Sequence, residues 1–265
     1  MSQFGLIIIG DEILSGKRQD KHLPKVIELL GARGLALSWA RYVGDHRGQI
    51  TAVLRDAFSS GDIVFSCGGI GATPDDHTRQ CAAAALGRPL VLHPQARDLI
   101  QERMRDVAAE QGLPYEPDRA DNQHRLNMGV FPEGAEIIAN PYNKIPGFSV
   151  GDVHFVPGFP VMAHPMIESL LDGRYRPLHG SQAQRERAVI VQGGLEATLT
   201  PLMEAIEARF GDVKVFSLPS VDHPQYGRHI ELGVKGAPAL VAQAWPALLA
   251  GLQPFNVKLG PELVR

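Results

Sequence analysis

The sequence predicts a doubly wound, largely parallel α/β sheet followed by a small α+β module, and three observations carry that expectation. Short apolar runs alternate with amphipathic stretches over residues 4–171, the layout of strands joined by crossover helices. The first run, Phe4–Ile9, is continuous and apolar, as a central strand covered on both faces requires. Residues 172–186, DGRYRPLHGSQAQRE, are polar and poor in aliphatics; they read as a linker, and the rhythm of elements changes after them. The expected domains are 1–178 and 185–257.

Each element has its own signal. After Phe4–Ile9, Leu23, Val26, Ile27 and Leu30 recur at helical spacing, with Pro24 in the first turn and Gly31 and Gly34 near the end. Leu35–Val43 is a second strand, ending at Gly44-Asp45-His46. Ile50, Val53, Leu54 and Phe58 form one face of the next helix. Ile63–Phe65 is a short strand, and an alanine-rich helix carrying Cys81 and Ala82–Ala85 follows it. His93-Pro94 opens a helix with Ile100, Met104 and Val107 on its apolar side. Residues 113–134 show no periodicity and read as irregular. Ala135–Ala139 is strand-like, and Phe148–Val150 with Val153–Val156 flank Gly151-Asp152 as a hairpin. Pro160 leads into a helix with Met166, Ile167, Leu170 and Leu171. In the module, strands are expected at Ala188–Val191, Val213–Leu218 and His229–Val234. Helices are expected at Leu195–Phe210 and Pro238–Leu252, with Pro201 and Pro246 as interruptions.

Composition narrows the function. The chain has 265 residues, 44% of them hydrophobic and 21% charged, as in ordinary globular proteins. A net charge of −3 offers no general attraction for nucleic acid or an anionic membrane. No apolar run approaches the roughly 20 residues that cross a bilayer, and the N-terminal run reads as a strand, without the basic flank of a signal peptide. Cys67 and Cys81 match no zinc or disulfide pattern; two free thiols fit a cytoplasmic protein.

The chemistry concentrates in residues 62–78, DIVFSCGGIGATPDDHT. A strand runs into Gly68, Gly69 and Gly71, then Thr73-Pro74-Asp75-Asp76, then a helix. That layout brings backbone N–H groups close to an anion. Two adjacent carboxylates beside a phosphate call for a divalent cation between them; equally, Asp75 or Asp76 is the cap of the helix. In a doubly wound sheet the loops after the strand C-termini converge. Gly10-Asp11-Glu12, the 68–78 loop and the 140–147 and 157–160 loops are therefore expected around one crevice. Asp11, Glu12, Asp75 and Asp76 would there be oxygen ligands for Mg²⁺ or a similar cation; taken singly, Asp11 or Glu12 also suits a helix cap or a surface charge. The glycines do not have the dinucleotide-binding or P-loop spacing, and no serine-hydrolase elbow is present.

Four segments together resemble the molybdopterin-binding family, in its competence/damage-inducible CinA-type branch. They are Gly10-Asp11-Glu12-Ile13-Leu14-Ser15-Gly16, the run Gly68–Thr78, Asn140-Pro141 with Pro146-Gly147, and Val156-Pro157-Gly158-Phe159-Pro160. The resemblance implies a three-layer α/β/α fold, a homo-oligomer, and a site for a nucleotide or pterin phosphate with a divalent cation. It also implies hydrolysis of a nucleotide pyrophosphate of the ADP-ribose or FAD kind. The alternatives are a non-catalytic binding module in cofactor metabolism and a molybdenum-cofactor biosynthesis transferase. Carried over by position, Asp11, Glu12 and Asp76 would be catalytic. Gly10, Gly68, Gly69, Gly71, Thr73, Asn140, Pro146, Gly147 and Gly158 would bind ligand, and Lys144, at a position where the chain departs from the family, would neutralise phosphate instead. Asp11, Glu12, Asp75 and Asp76 would hold metal. The chain departs from the family pattern at Asn143-Lys144-Ile145 (Gly-Thr-Ala), Val161-Met162-Ala163 (Ser-Glu-Met) and His22 (Asn).

Overall fold

A computed structural model describes residues 3–181 and 184–265. The chain divides into two compact units, Met1–Gly180 and Ser181–Arg265. In chain order the first unit holds β1 (Phe4–Ile9), α1 (Asp11–Leu14), α2 (His22–Gly31), β2 (Leu37–Val43), α3 (Arg47–Ser60), β3 (Ile63–Cys67) and α4 (Thr78–Leu86). It continues with β4 (Leu90–Leu92), α5 (Pro94–Glu110), α6 (Ala120–Arg125), β5 (Val130–Pro132), β6 (Glu136–Ile138), β7 (Gly147–Val150), β8 (Val153–Val156) and α7 (Pro160–Asp172).

The central sheet has the order β2-β1-β3-β8-β7-β6. β2, β1, β3 and β8 run parallel, while β7 is antiparallel to β8 and β6 to β7. Alternation along β1 shows why its sequence is apolar throughout. Phe4, Leu6 and Ile8 join one core with Val26, Leu30, Met166 and Ile167 from α2 and α7. Ile7 and Ile9 join a second core with Ile50, Leu54, Cys81 and Ala82 from α3 and α4. Helices thus cover both faces, and the expected three-layer, mostly parallel architecture is present. The chain leaves β1 for β2 on one side and later takes up β3 on the other, which opens a crevice at the C-terminal ends of these strands.

Three local expectations are corrected. Ile27 is 52% exposed, and Leu29 takes its place on the buried side of α2. The irregular stretch contains α6, six residues of which all but Ala120 are polar, so that it gives no periodic signal; Asn122 Nδ2 holds it by donating to the Glu116 carbonyl at 2.7 Å. The linker reading fails for its first part. Tyr175 is buried in the core, where its hydroxyl meets His154 Nε2 and donates to Asp152 Oδ1 at 2.8 Å. Residues 182 and 183 of that stretch lie outside the described residues.

The second unit comprises β9 (Arg185–Gln192), α8 (Glu196–Arg209), β10 (Lys214–His223), β11 (Gly227–Gly236), α9 (Pro238–Leu252) and β12 (Lys258–Val264). Its antiparallel sheet has the order β10-β11-β9-β12. Val189, Val191, Ile230, Leu232 and Val234 pack beneath Leu199, Ile206, Trp245 and Leu248 of the two helices. Pro201 and Pro246 lie inside continuous helices.

Candidate functional site

The crevice at the C-terminal edge of the first sheet has a volume of about 660 Å³, within the range of small-ligand sites. Four strand ends build it. β1 contributes Gly10 and Glu12, β2 contributes Asp45, β3 contributes the 68–76 loop, and β8 contributes Pro157-Gly158-Phe159.

Local geometry explains why the loop is rich in glycine. Gly68 has φ +106°, and a Cβ there would lie 2.3 Å from the Ile9 carbonyl oxygen, so only glycine allows β3 to turn against β1. The loop is anchored from behind. Thr78 N–H donates to the Gly69 carbonyl at 2.9 Å and Thr78 Oγ1 to the Gly68 carbonyl at 3.0 Å. Arg79, 4% exposed, donates from Nη2 to the Gly71 carbonyl at 2.6 Å and from Nη1 to the Asn127 carbonyl. Burial lowers the Arg79 guanidinium from its ordinary value, and the charge of Asp76 opposes that shift. Among the described residues, the N–H groups of Gly69, Ile70, Gly71 and Ala72 donate to no protein acceptor, and all four residues line the crevice.

The acids divide by role. Asp76 Oδ2 accepts from Thr73 N–H at 2.9 Å and from Thr73 Oγ1 at 2.5 Å, so this carboxylate organises the loop. Asp11 and Asp45 exchange hydrogen bonds: Asp11 N–H donates to Asp45 Oδ2 at 2.9 Å, and Asp45 N–H to Asp11 Oδ1 at 3.1 Å. This exchange ties the end of β2 to the end of β1. Glu12, Asp45, Asp75 and Asp76 line the crevice, with Lys17 and Arg18 on the same rim. Burial raises the Asp45 carboxyl above its usual range; the Asp11 N–H opposes this, and the charges of Asp11, Glu12 and Asp75 add to it. Among the described residues, no three His, Cys, Asp or Glu side chains converge on a point where they could hold a metal ion. The expected quartet Asp11, Glu12, Asp75 and Asp76 therefore does not form a ready-made cation site.

Of the residues expected to bind ligand, Gly10, Gly68, Gly69, Gly71, Thr73 and Gly158 line the crevice. Asn140, Lys144, Pro146 and Gly147 do not. Their loop follows β6, on the same sheet edge but two strands beyond β8, or roughly 10 Å at the usual strand spacing. Asn140 is buried and shapes its own turn, donating to Asn143 Oδ1 at 2.8 Å and to the Ile145 carbonyl at 2.9 Å. Lys144 pairs with Glu102 and Asp106 of α5, at 2.6 Å each, which occupies the charge expected to meet phosphate. Gly147 packs within β7, where a Cβ would lie 2.3 Å from the Phe155 carbonyl oxygen.

Sequence reasoning gave no role to Asp45, Lys17, Arg18 or Phe159. The position of Asp45 was the available signal, because it follows a strand that pairs with β1 in parallel. A further cleft, of about 530 Å³, lies in the second unit beside Gly193, Leu195, Val221 and Arg228. His223 and Tyr226 close the hairpin of that unit: their rings stack at 4.8 Å, and His223 Nδ1 accepts from the Gln225 and Tyr226 N–H groups at 3.3 Å.

Known proteins share this architecture. Residues 5–179 match the family described as "Probable molybdopterin binding domain". A CinA-like protein of Syntrophotalea carbinolica is 29% identical over 97% of this chain, and the chain spans 60% of that protein's length. A protein of Pyrobaculum calidifontis is 30% identical over 85% of each chain. Among solved structures, the protein CinA from Thermoplasma acidophilum, titled as having unknown function, superposes with a TM-score of 0.54 and 26% identity. The match covers 64% of this chain and 98% of that one. The match over 5–179, on a sheet whose loops carry the motifs, makes this chain a member of the molybdopterin-binding domain family, with CinA-like proteins among its relatives.

Proposed function

We propose that the crevice binds the phosphate of a pterin or nucleotide ester. One observation carries this reading: four successive residues that line the crevice, Gly69 to Ala72, have backbone N–H groups with no protein acceptor among the described residues, and Lys17 and Arg18 share the rim. Such an arrangement suits a phosphate, because its donors are fixed before the ligand arrives. Membership in the family described as "Probable molybdopterin binding domain" agrees with a pterin-related ligand.

A second reading, hydrolysis of a nucleotide pyrophosphate, is favoured by Glu12, Asp45 and Asp75 sharing the rim. Asp45, half withdrawn from water, is the group we assign to orient the attacking water. The described residues hold no preformed cation site; a divalent ion in this reaction would be shared between one or two of these carboxylates and the substrate's phosphates, and it would supply charge neutralisation. A homo-oligomer in the cytoplasm belongs to the same proposal, and the buried free thiols Cys67 and Cys81 agree with a reducing compartment.

Calorimetric titration with ADP-ribose, FAD and AMP in EDTA tests binding, and mononucleotide release with added Mg²⁺ or Mn²⁺ tests turnover. Binding in EDTA that weakens about thirtyfold in a Lys17→Ala, Arg18→Ala double variant is the expected result, each lost charge-assisted contact costing on the order of 1 kcal/mol. Absence of binding to all three ligands would overturn the reading. Cation-dependent release that Asp45→Asn abolishes would establish hydrolysis; release unaffected by that variant would remove Asp45 from the chemistry.

A further inference from the structure

Phe159 has no part in the phosphate-binding geometry, yet it lines the same crevice with 54% of its surface exposed. A large aromatic ring left open to solvent loses hydrophobic stabilisation, and the backbone here keeps it open. Phe159 is the N-cap of α7, and its carbonyl accepts from the N–H groups of Met162 and Ala163 at 3.0 and 2.9 Å. One residue earlier, His22 Nε2 donates to the Gly158 carbonyl at 3.0 Å, pinning the loop to the start of α2. Pro157 and Pro160 stiffen either side. The Arg18 guanidinium stands 6.0 Å from the ring centroid, at the outer limit of cation–π contact, so the ring face is not closed off.

Resting on the phosphate-binding reading, we propose that Phe159 is a stacking platform for the planar heterocycle of the ligand and sets the specificity of the site. The preferred ligand class is then a phosphate ester that carries a flat ring, a purine or a pteridine, over a bare sugar phosphate. The amide row takes the phosphate, Phe159 takes the ring, and Arg18 stands beside both. An aromatic face accepts any flat ring, so the platform selects for flatness; the Glu12 carboxylate on the same rim is placed to accept N–H groups from the ring edge.

The test is calorimetric titration of the whole chain with ribose 5-phosphate, AMP and GMP, the guanine ring sharing its amino-oxo edge with pterins. Wild-type protein is expected to bind AMP and GMP more tightly than ribose 5-phosphate. Phe159→Ala should weaken the two nucleotides on the order of ten- to a hundredfold, the range of single base–aromatic stacks, and leave ribose 5-phosphate unchanged. Phe159→Tyr should restore the difference and Phe159→Leu should not. Equal wild-type affinity for all three ligands overturns the platform and leaves the phosphate site standing. Binding of none of them overturns the phosphate site and the platform with it. Nucleotide affinity unchanged in Phe159→Ala, together with a change in molar mass by light scattering, also overturns the platform and assigns the ring to a contact between copies. Because Phe159 is more than half exposed, the alanine variant should keep the wild-type melting temperature, which separates loss of the platform from loss of the fold.

Discussion

His154 shows at the residue scale how a single polar side chain is kept inside this sheet. It is fully buried, and a relay satisfies it. Ser149 Oγ meets its Nδ1 at 2.7 Å, its Nε2 meets the Tyr175 hydroxyl, and that hydroxyl donates to Asp152. With Asp152 as the final acceptor, the Tyr175 hydroxyl takes its hydrogen bond from Nε2–H and Nδ1 is left to accept from Ser149 Oγ, the pattern of a neutral imidazole. Burial accordingly pushes the ring down from 6.5 to about 3, with the Arg174 charge acting in the same direction. The unfolded chain takes up a proton as the pH falls below about 6.5, while the folded chain resists until about 3. Stability from this residue is therefore complete above that window and is lost as pH falls through it, at up to about 1.4 kcal/mol per pH unit. Urea unfolding at pH 7 and pH 5 should show a smaller loss in His154→Gln than in wild type, by about 2 kcal/mol. Equal losses would remove His154 as the source. The relay also explains why Tyr175 was illegible: it stands among arginines and glycines, and its partner lies 21 positions earlier.

At the scale of elements, the strands and the glycine loop were readable because their constraints are local. β1 is apolar throughout and β3 is so except at the buried Ser66, since both faces are covered, and Gly68 is required by a backbone angle. What could not be read depends on distance across the sheet. The four motif segments occur in chain order, but the hairpin β7–β8 places β6, and with it Asn140 and Lys144, beyond the crevice. Asp76 was legible as an important acid, while its engagement with Thr73 depends on loop geometry that spacing alone does not fix. β12 was missed because Gly260 and Pro261 interrupt it; an edge strand with an irregular register tolerates both. One contact between elements makes a direct prediction. Arg33 follows α2 and forks onto Asp172 of α7, with two bonds of 2.6 Å, while Nη1 donates to the Leu29 carbonyl at 2.8 Å. The guanidinium is mostly buried and the carboxylate half-exposed, so Arg33→Ala should cost about 1–2 kcal/mol in urea unfolding. Arg33→Lys should recover only part of it, because an ammonium cannot make the paired bonds. An unchanged midpoint in Arg33→Ala would show that the pair contributes nothing.

At the scale of the whole molecule, each unit has a core of its own. The crevice draws only on residues between Ile9 and Phe159, all within the first unit. A fragment spanning residues 1–180 should therefore fold cooperatively and bind AMP with the affinity of the longer chain; weaker binding in calorimetry would place part of the binding surface elsewhere. The second unit obeys a different timetable. Its strand β9 lies inside the sheet between β11 and β12, and β12 is made only after every other element of that unit. Until residues 258–264 emerge from the ribosome, the outer edge of β9 is an open row of backbone groups carrying Ala188 and Ile190, both buried once folding ends. Open apolar edges recruit strands from other chains. Recovery of the protein from a cell is therefore sensitive to how soon β12 follows, an exposure in time that the stability of the finished fold does not measure.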